Sequence, residues 1–186
     1  MPDRRALVLA LVNRYPGIHG RRLERELGMS SRLADYHIEA LEREGRVQRV
    51  QEAGYSRFFP AVGKPKWARR DVEFICLMRR PVALRVVLLL LADGPTGQGD
   101  IARRLDLAKA SASYHLGMLL DAGCVCVAAM GRTRTYSIRD PAYVQGMLAN
   151  FTPIPQDLEG FARVWDDLFK ARLAPAHNDE RGRQAK

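Results

Sequence analysis

The sequence predicts a mainly α-helical protein with small β wings, built as two tandem copies of one domain followed by C-terminal helices. Two observations carry this. The phrase Asp35-Tyr36-His37-Ile38, leading to Leu41 and Gly45, returns as Ser113-Tyr114-His115-Leu116, leading to Leu119 and Gly123, and the tyrosines lie 114 − 36 = 78 residues apart. The same offset holds upstream, where Leu23 and Leu27 fall opposite Ile101 and Leu105, and the apolar runs at 8–11 and 86–89 coincide. A single repeat of this length within 186 residues means two similar domains, not a solenoid.

Each copy reads as three helices and a two-stranded ribbon. In the first, residues 4–14 form a helix with Leu7, Ala10 and Leu11 on one stripe, ended by Pro16-Gly17. Residues 21–27 form the second helix, with Leu23 and Leu27 toward the core and Gly28 closing it. Ser30 or Ser31 caps a third helix running to about Glu44, where Gly45 stops it. Residues 47–51 and 55–59 alternate as paired strands around Ala53-Gly54. The stretch 60–66 is rich in helix breakers, and 67–78 is a bridging helix. The second copy has helices at 82–92, 98–105 and 109–122 and a ribbon at 124–138, with Gly94-Pro95 at the turn position of Pro16-Gly17. A short helix to about Phe151 and an amphipathic helix at 157–172 follow. The expected organisation is a first domain at 1–60, a basic linker and bridging helix at 61–80, a second domain at 81–140, C-terminal helices at 141–174 and a disordered polar tail at 175–186. Three helices followed by a ribbon is the element order of a winged helix-turn-helix.

The net charge of +9 and pI near 9.9 favour a polyanionic partner. The surplus is +3 over residues 1–60, +4 over 61–80, +2 over 81–140 and zero over 141–186, so it lies on the repeats and their connector. A DNA footprint needs it there. Arg4-Arg5 before an apolar run mimics a signal peptide, but Asn13, Arg14 and Tyr15 follow without a small-residue cleavage site, so the segment reads as a first helix. No apolar run approaches the roughly 20 residues of a membrane span. Three cysteines, Cys76, Cys124 and Cys126, make no disulfide framework and fit a reducing compartment. A cytoplasmic, nucleoid-associated protein is expected.

The third helix of each copy is the candidate reader. At about 100° per residue, Ala34, Ile38 and Leu41 form the buried stripe of the first, and Arg32, Tyr36, Glu39 and Arg43 the outward face, with Ser31 at its start. Arginine can donate twice to guanine, tyrosine can reach a phosphate or stack on a sugar, and Glu39 can accept from cytosine or pair with Arg43. In the second, Ala112, Leu116 and Leu119 are buried, while Ala110, Tyr114, Gly117 and Asp121 face outward; only Lys109, Ser111, Ser113 and Tyr114 suit DNA. The first domain is therefore the better reader. His37 and His115 recur at the stripe edge, either to donate to phosphate or to hold the preceding turn. The ribbons add Arg46, Arg49 and Arg57 in the first domain and Arg132 and Arg134 in the second.

At these residues the chain resembles the winged helix-turn-helix transcriptional regulators. The second copy is similar to the arsenical-resistance repressor (ArsR) family through Arg80-Pro81-Val82-Ala83-Leu84-Arg85, Asp100-Ile101-Ala102 and Ser111-Ala112-Ser113-Tyr114-His115-Leu116, ending in Ala122-Gly123-Cys124-Val125. The first copy resembles related winged-helix regulators from Ala34 through Gly45. The resemblance implies a third helix in the major groove with a wing on adjacent backbone. It also marks a departure: the family's metal-sensing cysteine box lies in the helix before the recognition helix, here 98–105, which has no cysteine. Cys124 and Cys126 instead open the ribbon on one sheet face, as buried small hydrophobes.

No phosphate-cradling glycine loop, HExxH or zinc-finger spacing is present, so neither enzyme chemistry nor a metal or other cofactor is expected. The expected function is that of a sequence-specific double-stranded DNA-binding transcriptional regulator; the alternative is a tandem winged-helix protein-interaction adaptor. Leu158, Phe161, Ala162, Trp165, Leu168 and Phe169 form a wide apolar stripe on the last helix, to be covered by the second domain or by its copy in a homodimer.

Overall fold

A computed structural model of the chain describes residues 3–52, 54–61, 67–130, 133–158, 162, 165 and 166. The first domain runs α1 (Arg4–Arg14), β1 (Ile18–His19), α2 (Gly20–Leu27), α3 (Ser31–Arg43), β2 (Val47–Glu52) and β3 (Tyr55–Pro60). After α4 (Arg69–Met78), the second runs α5 (Pro81–Asp93), β4 (Thr96–Gly97), α6 (Gln98–Arg104), α7 (Lys109–Asp121), β5 (Val125–Met130) and β6 (Thr133–Ile138). The chain continues through α8 (Pro141–Ala149) and a 3₁₀ turn at Pro155–Leu158. From β1 to β3, each element begins 78 residues before its counterpart, as in 96 − 18, 98 − 20, 109 − 31, 125 − 47 and 133 − 55. Two winged helix-turn-helix units stand in tandem.

Local chemistry sets the element ends. The Asp3 side chain caps α1 by accepting from Arg5 N, and the Ser30 hydroxyl caps α3 by accepting from Leu33 N. Gly28 ends α2 in the left-handed conformation that glycine adopts without a Cβ penalty. The α2 cap is a histidine, since His19 Nδ1 accepts from Arg22 N at 3.3 Å. The two-residue strands β1 and β4 are absent from the sequence reading, because alternation has no meaning over two positions. Each nevertheless makes a three-stranded antiparallel sheet, in the orders β1-β3-β2 and β4-β6-β5.

The stripe expected on α1 is corrected. Val8, Leu9 and Val12 are buried, Leu11 is half-buried, and Leu7 and Ala10 face solvent, Leu7 at 38% exposure. The run from Ala6 to Val12 is apolar all round, so its pattern does not fix the rotation of the helix; packing against α3 and β3 does.

The two cores interlock. The first gathers Val8, Val12, Leu23, Ile38, Leu41 and Phe58, and takes Ile154 from beyond α8. The second gathers α4, α5, Leu116, Leu119 and Val144, and takes Phe59 from the first domain. Among the described residues, no helix is long and apolar enough to cross a membrane.

Candidate nucleic-acid interface

On α3, Ala34, Ile38 and Leu41 are buried while Ser31, Arg32, Tyr36, Glu39 and Arg43 are exposed. The large Tyr36 ring is 56% exposed, although its two helical neighbours toward the core are covered. Arg43 reaches back along the helix to donate from Nε to the Glu39 carbonyl oxygen at 3.4 Å. That contact is to the backbone, so both charged ends stay on the outer face. On α7, Lys109, Ser113 and Tyr114 are exposed, with Tyr114 at 60%, and Ser111 is half-buried. Here the outer face continues into Gly117, which offers no donor, and the exposed Asp121, whose carboxylate repels a phosphate.

His37 and His115 hold equivalent half-buried places. Tyr36 meets His37 edge-on at 5.3 Å, and Tyr114 meets His115 at 5.2 Å. Each exposed tyrosine is thus braced by the histidine that follows it. Burial, followed by the positive charges of Arg80 and Arg85, lowers the pKa of His115.

The ribbon arginines divide. Arg46 and Arg134 are exposed. Arg49 is half-buried and forms an ion pair at 2.8 Å with Glu42 of α3, fastening ribbon to helix. Arg57, expected on the solvent side of the wing, is 6% exposed. Its Nε donates to Glu52 at 2.6 Å and its other end donates to the Gly17 carbonyl oxygen at 3.0 Å. The cause is β1, whose pairing with β3 makes β3 the central strand and places Arg57 opposite both His19 and Val50. Arg57 therefore ties β3 to the turn after α1 and does not stand exposed on the wing. Arg132 lies outside the described residues. Sequence reasoning also passed over Tyr55, which stands 62% exposed beside the ribbon turn.

Arg79, read from sequence as linker charge, and Arg80, read as linker charge and as the first residue of the ArsR-like motif, join the domains. Glu52 accepts from Arg57 and, at 2.7 Å, from Arg80, which also reaches Met118 Sδ of α7 at 3.5 Å. Burial pushes the Glu52 carboxyl up, but the two guanidiniums outweigh it and hold it below its ordinary range. Arg79 donates to the carbonyl oxygens of Pro16 at 2.9 Å and Thr152 at 2.7 Å, with its guanidinium 4.1 Å over the Phe151 ring.

Leu158 is 9% exposed in the second core, and the half-buried Trp165 packs on that core with its ring 6.3 Å from Phe151. Both therefore make contacts within the chain. Phe161, Leu168 and Phe169 lie outside the described residues. Cys124 is buried, which pushes its thiol up to about 11, and Cys126 places Sγ 3.2 Å from Ser137 Oγ. No group of three His, Cys, Asp or Glu residues is placed to hold a metal among the described residues.

Two helix-turn-helix families match the chain in tandem, one described as an N-terminal HTH domain over residues 2–72 and one as a helix-turn-helix domain over residues 77–125. Among solved structures, the chain is similar to an ArsR family transcriptional regulator at 21% identity and a TM-score of 0.36, over 59% of this chain and 99% of that one. It is also similar to the DIP2311 protein from Corynebacterium diphtheriae at 19% identity and a TM-score of 0.29, over 73% of this chain but only 26% of that one. No curated protein matches it.

Proposed function

We propose that this chain, two winged helix-turn-helix units in tandem, is a transcription regulator that binds specific sites on double-stranded DNA with its first domain as the principal reader. The observation that supports this most is the outer face of α3, where Arg32, Tyr36, Glu39 and Arg43 are exposed directly opposite a buried apolar stripe. In this docking geometry the third helix lies in the major groove. Arg32 is placed for bidentate donation to guanine, and Tyr36, braced by His37, for a phosphate or sugar. Arg46 and Arg134 supply flanking phosphate contacts. The second domain, with Lys109, Ser113 and Tyr114 but also Asp121, adds a weaker grip.

Titration of labelled genomic fragments at several salt concentrations tests this. Affinity is expected to fall with a log-log slope of about −0.9 per phosphate neutralised. Arg32→Ala or Tyr36→Ala is expected to cost roughly 1 to 3 kcal/mol at the preferred site, and Tyr114→Ala less. Equal losses from both helices would make the domains equal readers of two half-sites. Absence of binding even at low salt would favour the protein-interaction adaptor.

A further inference from the structure

Beside the cap of α2, a cavity of about 180 Å³ is lined by four arginines (Arg22, Arg25, Arg57 and Arg79) and by His19, with no carboxylate in its wall among the described residues. Glu26 pairs with Arg22 at 2.8 Å and Glu52 with Arg57, but neither acid lines the cavity. The exposed Arg25 makes no ion pair among the described residues. Pro81 of α5 and Ile154 also line it, so the cavity touches the first domain, the start of the second and the C-terminal segment.

The internal repeat supplies a control for whether the fold demands this charge. The equivalent place in the second domain is also a cavity, and a shift of 78 residues carries His19 to Gly97, Arg22 to Asp100, Arg25 to Arg103 and Arg57 to Thr135. There the arginines are neutralised on the spot, Arg103 by Asp100 at 2.6 Å and Arg104 by Asp93 at 2.9 Å. One fold position thus carries acids beside its arginines in the cavity wall of one copy and only cations and neutral groups in the wall of the other. Folding alone does not account for the cluster.

We propose that the first-domain cavity binds a small oxyanion, a phosphate or a carboxylate-bearing ligand, as an effector that clamps the two domains together. The volume lies below the roughly 300 to 1,000 Å³ of sites for drug-sized ligands, which sets the size class. Guanidiniums suit it because each offers paired N–H donors to an oxyanion. The local field agrees: after burial, the groups lowering the pKa of His19 are Arg57, Arg25, Arg22 and Arg21, all cationic. This inference does not depend on the DNA reading.

The test uses the full chain without DNA. Sodium phosphate, added at millimolar concentration against sodium chloride of equal ionic strength, is expected to raise the unfolding temperature and to shift the His19 ring resonances toward the protonated form. Arg25→Glu is expected to weaken apparent phosphate affinity at least tenfold, Arg25→Gln severalfold, and Arg103→Glu at the equivalent position not at all. Phosphate no better than chloride, or equal losses from Arg25→Glu and Arg103→Glu, would overturn the proposal. The source of the anion is settled by adding duplex DNA: simultaneous binding of phosphate and duplex supports a free ligand. Displacement of phosphate by duplex would assign the cavity to a DNA phosphate and overturn the effector role.

Discussion

Glu52 shows what a single side chain does at the join between the domains. It accepts from Arg57, which is buried, and from Arg80, which carries the charge toward α7. Glu52→Gln leaves the Arg57 guanidinium with the Gly17 carbonyl and no counter-charge. The expected loss is about 2 kcal/mol, the scale of a hydrogen bond to a charged group, read by urea unfolding. Arg57→Ala is expected to lose stability as well, whereas Arg46→Ala leaves stability unchanged; the reverse order would return Arg57 to the exposed wing. His19 gives a second residue-scale expectation. Its Nδ1 must be unprotonated to cap α2, and folding lowers its pKa, through burial first and then the surrounding arginines. The unfolded chain therefore takes up the proton before the folded one. The stability this contributes is present above the ordinary histidine range and is lost as pH falls through the folded-state value. His115, lowered by burial and then Arg80 and Arg85, acts with the same sign. Urea midpoints measured between about pH 7.5 and 5 should decline, and His19→Asn, a cap that does not titrate, should flatten the decline. An unchanged slope in His19→Asn would remove His19 from the pH response.

At the scale of elements, the turn between α1 and β1 is tighter than its counterpart. Gly17 has φ +79°, and a Cβ there would meet Ile75 Cγ2 at 2.8 Å and the Phe59 ring at 3.3 Å. Gly45, after α3, also has positive φ, but open space surrounds it. Gly45→Ala is expected to cost about 1 kcal/mol from backbone strain alone. Gly17→Ala is expected to cost about 3 kcal/mol, because the chain has no room to give in that corner. Calorimetric midpoints of the two variants decide it. These elements also show what a sequence can and cannot carry. The bounds of α3 were legible because a serine cap, an apolar stripe and a stopping glycine agree locally, and those of α7, whose cap position Ala108 offers no side-chain bond, because its stripe, Gly123 and the 78-residue offset agree. The rotation of α1 was not legible, since an all-apolar run has no preferred side. Nor were β1 and β4, which exist only through their pairing with β3 and β6. The misplacement of Arg57 followed from that omission: a two-stranded ribbon presents its arginines, whereas the middle strand of three can bury one. The contacts of Arg79 and Arg80 were not legible for a related reason, because their partners lie 63 and 28 residues away along the chain and no local pattern announces them.

For the whole molecule, the decisive feature is that neither core is closed by its own domain. Phe59 of the first domain sits in the second core, and Ile154, from beyond α8, sits in the first. Arg79 lies at this crossing, 8% exposed, donating to carbonyl oxygens on both sides at Pro16 and Thr152. Two domains fastened this way unfold together, so the intact chain is expected to show one calorimetric transition with equal calorimetric and van't Hoff enthalpies. Arg79→Met keeps an apolar stem over Phe151 but removes the guanidinium donors, and leaves the buried Pro16 carbonyl and the partly buried Thr152 carbonyl without them. About 3 kcal/mol of coupling should be lost, and the single transition should broaden or split into two. The same variant bears on how DNA is read. Rigidly joined recognition helices accept one separation between their contact sites, whereas loosened ones accept several. Duplexes with half a helical turn inserted between the contacted segments should therefore discriminate strongly against the insertion for the intact chain and weakly for Arg79→Met. A single sharp transition in Arg79→Met, together with an unchanged insertion penalty, would show that the apolar interlock alone sets the arrangement of the two domains.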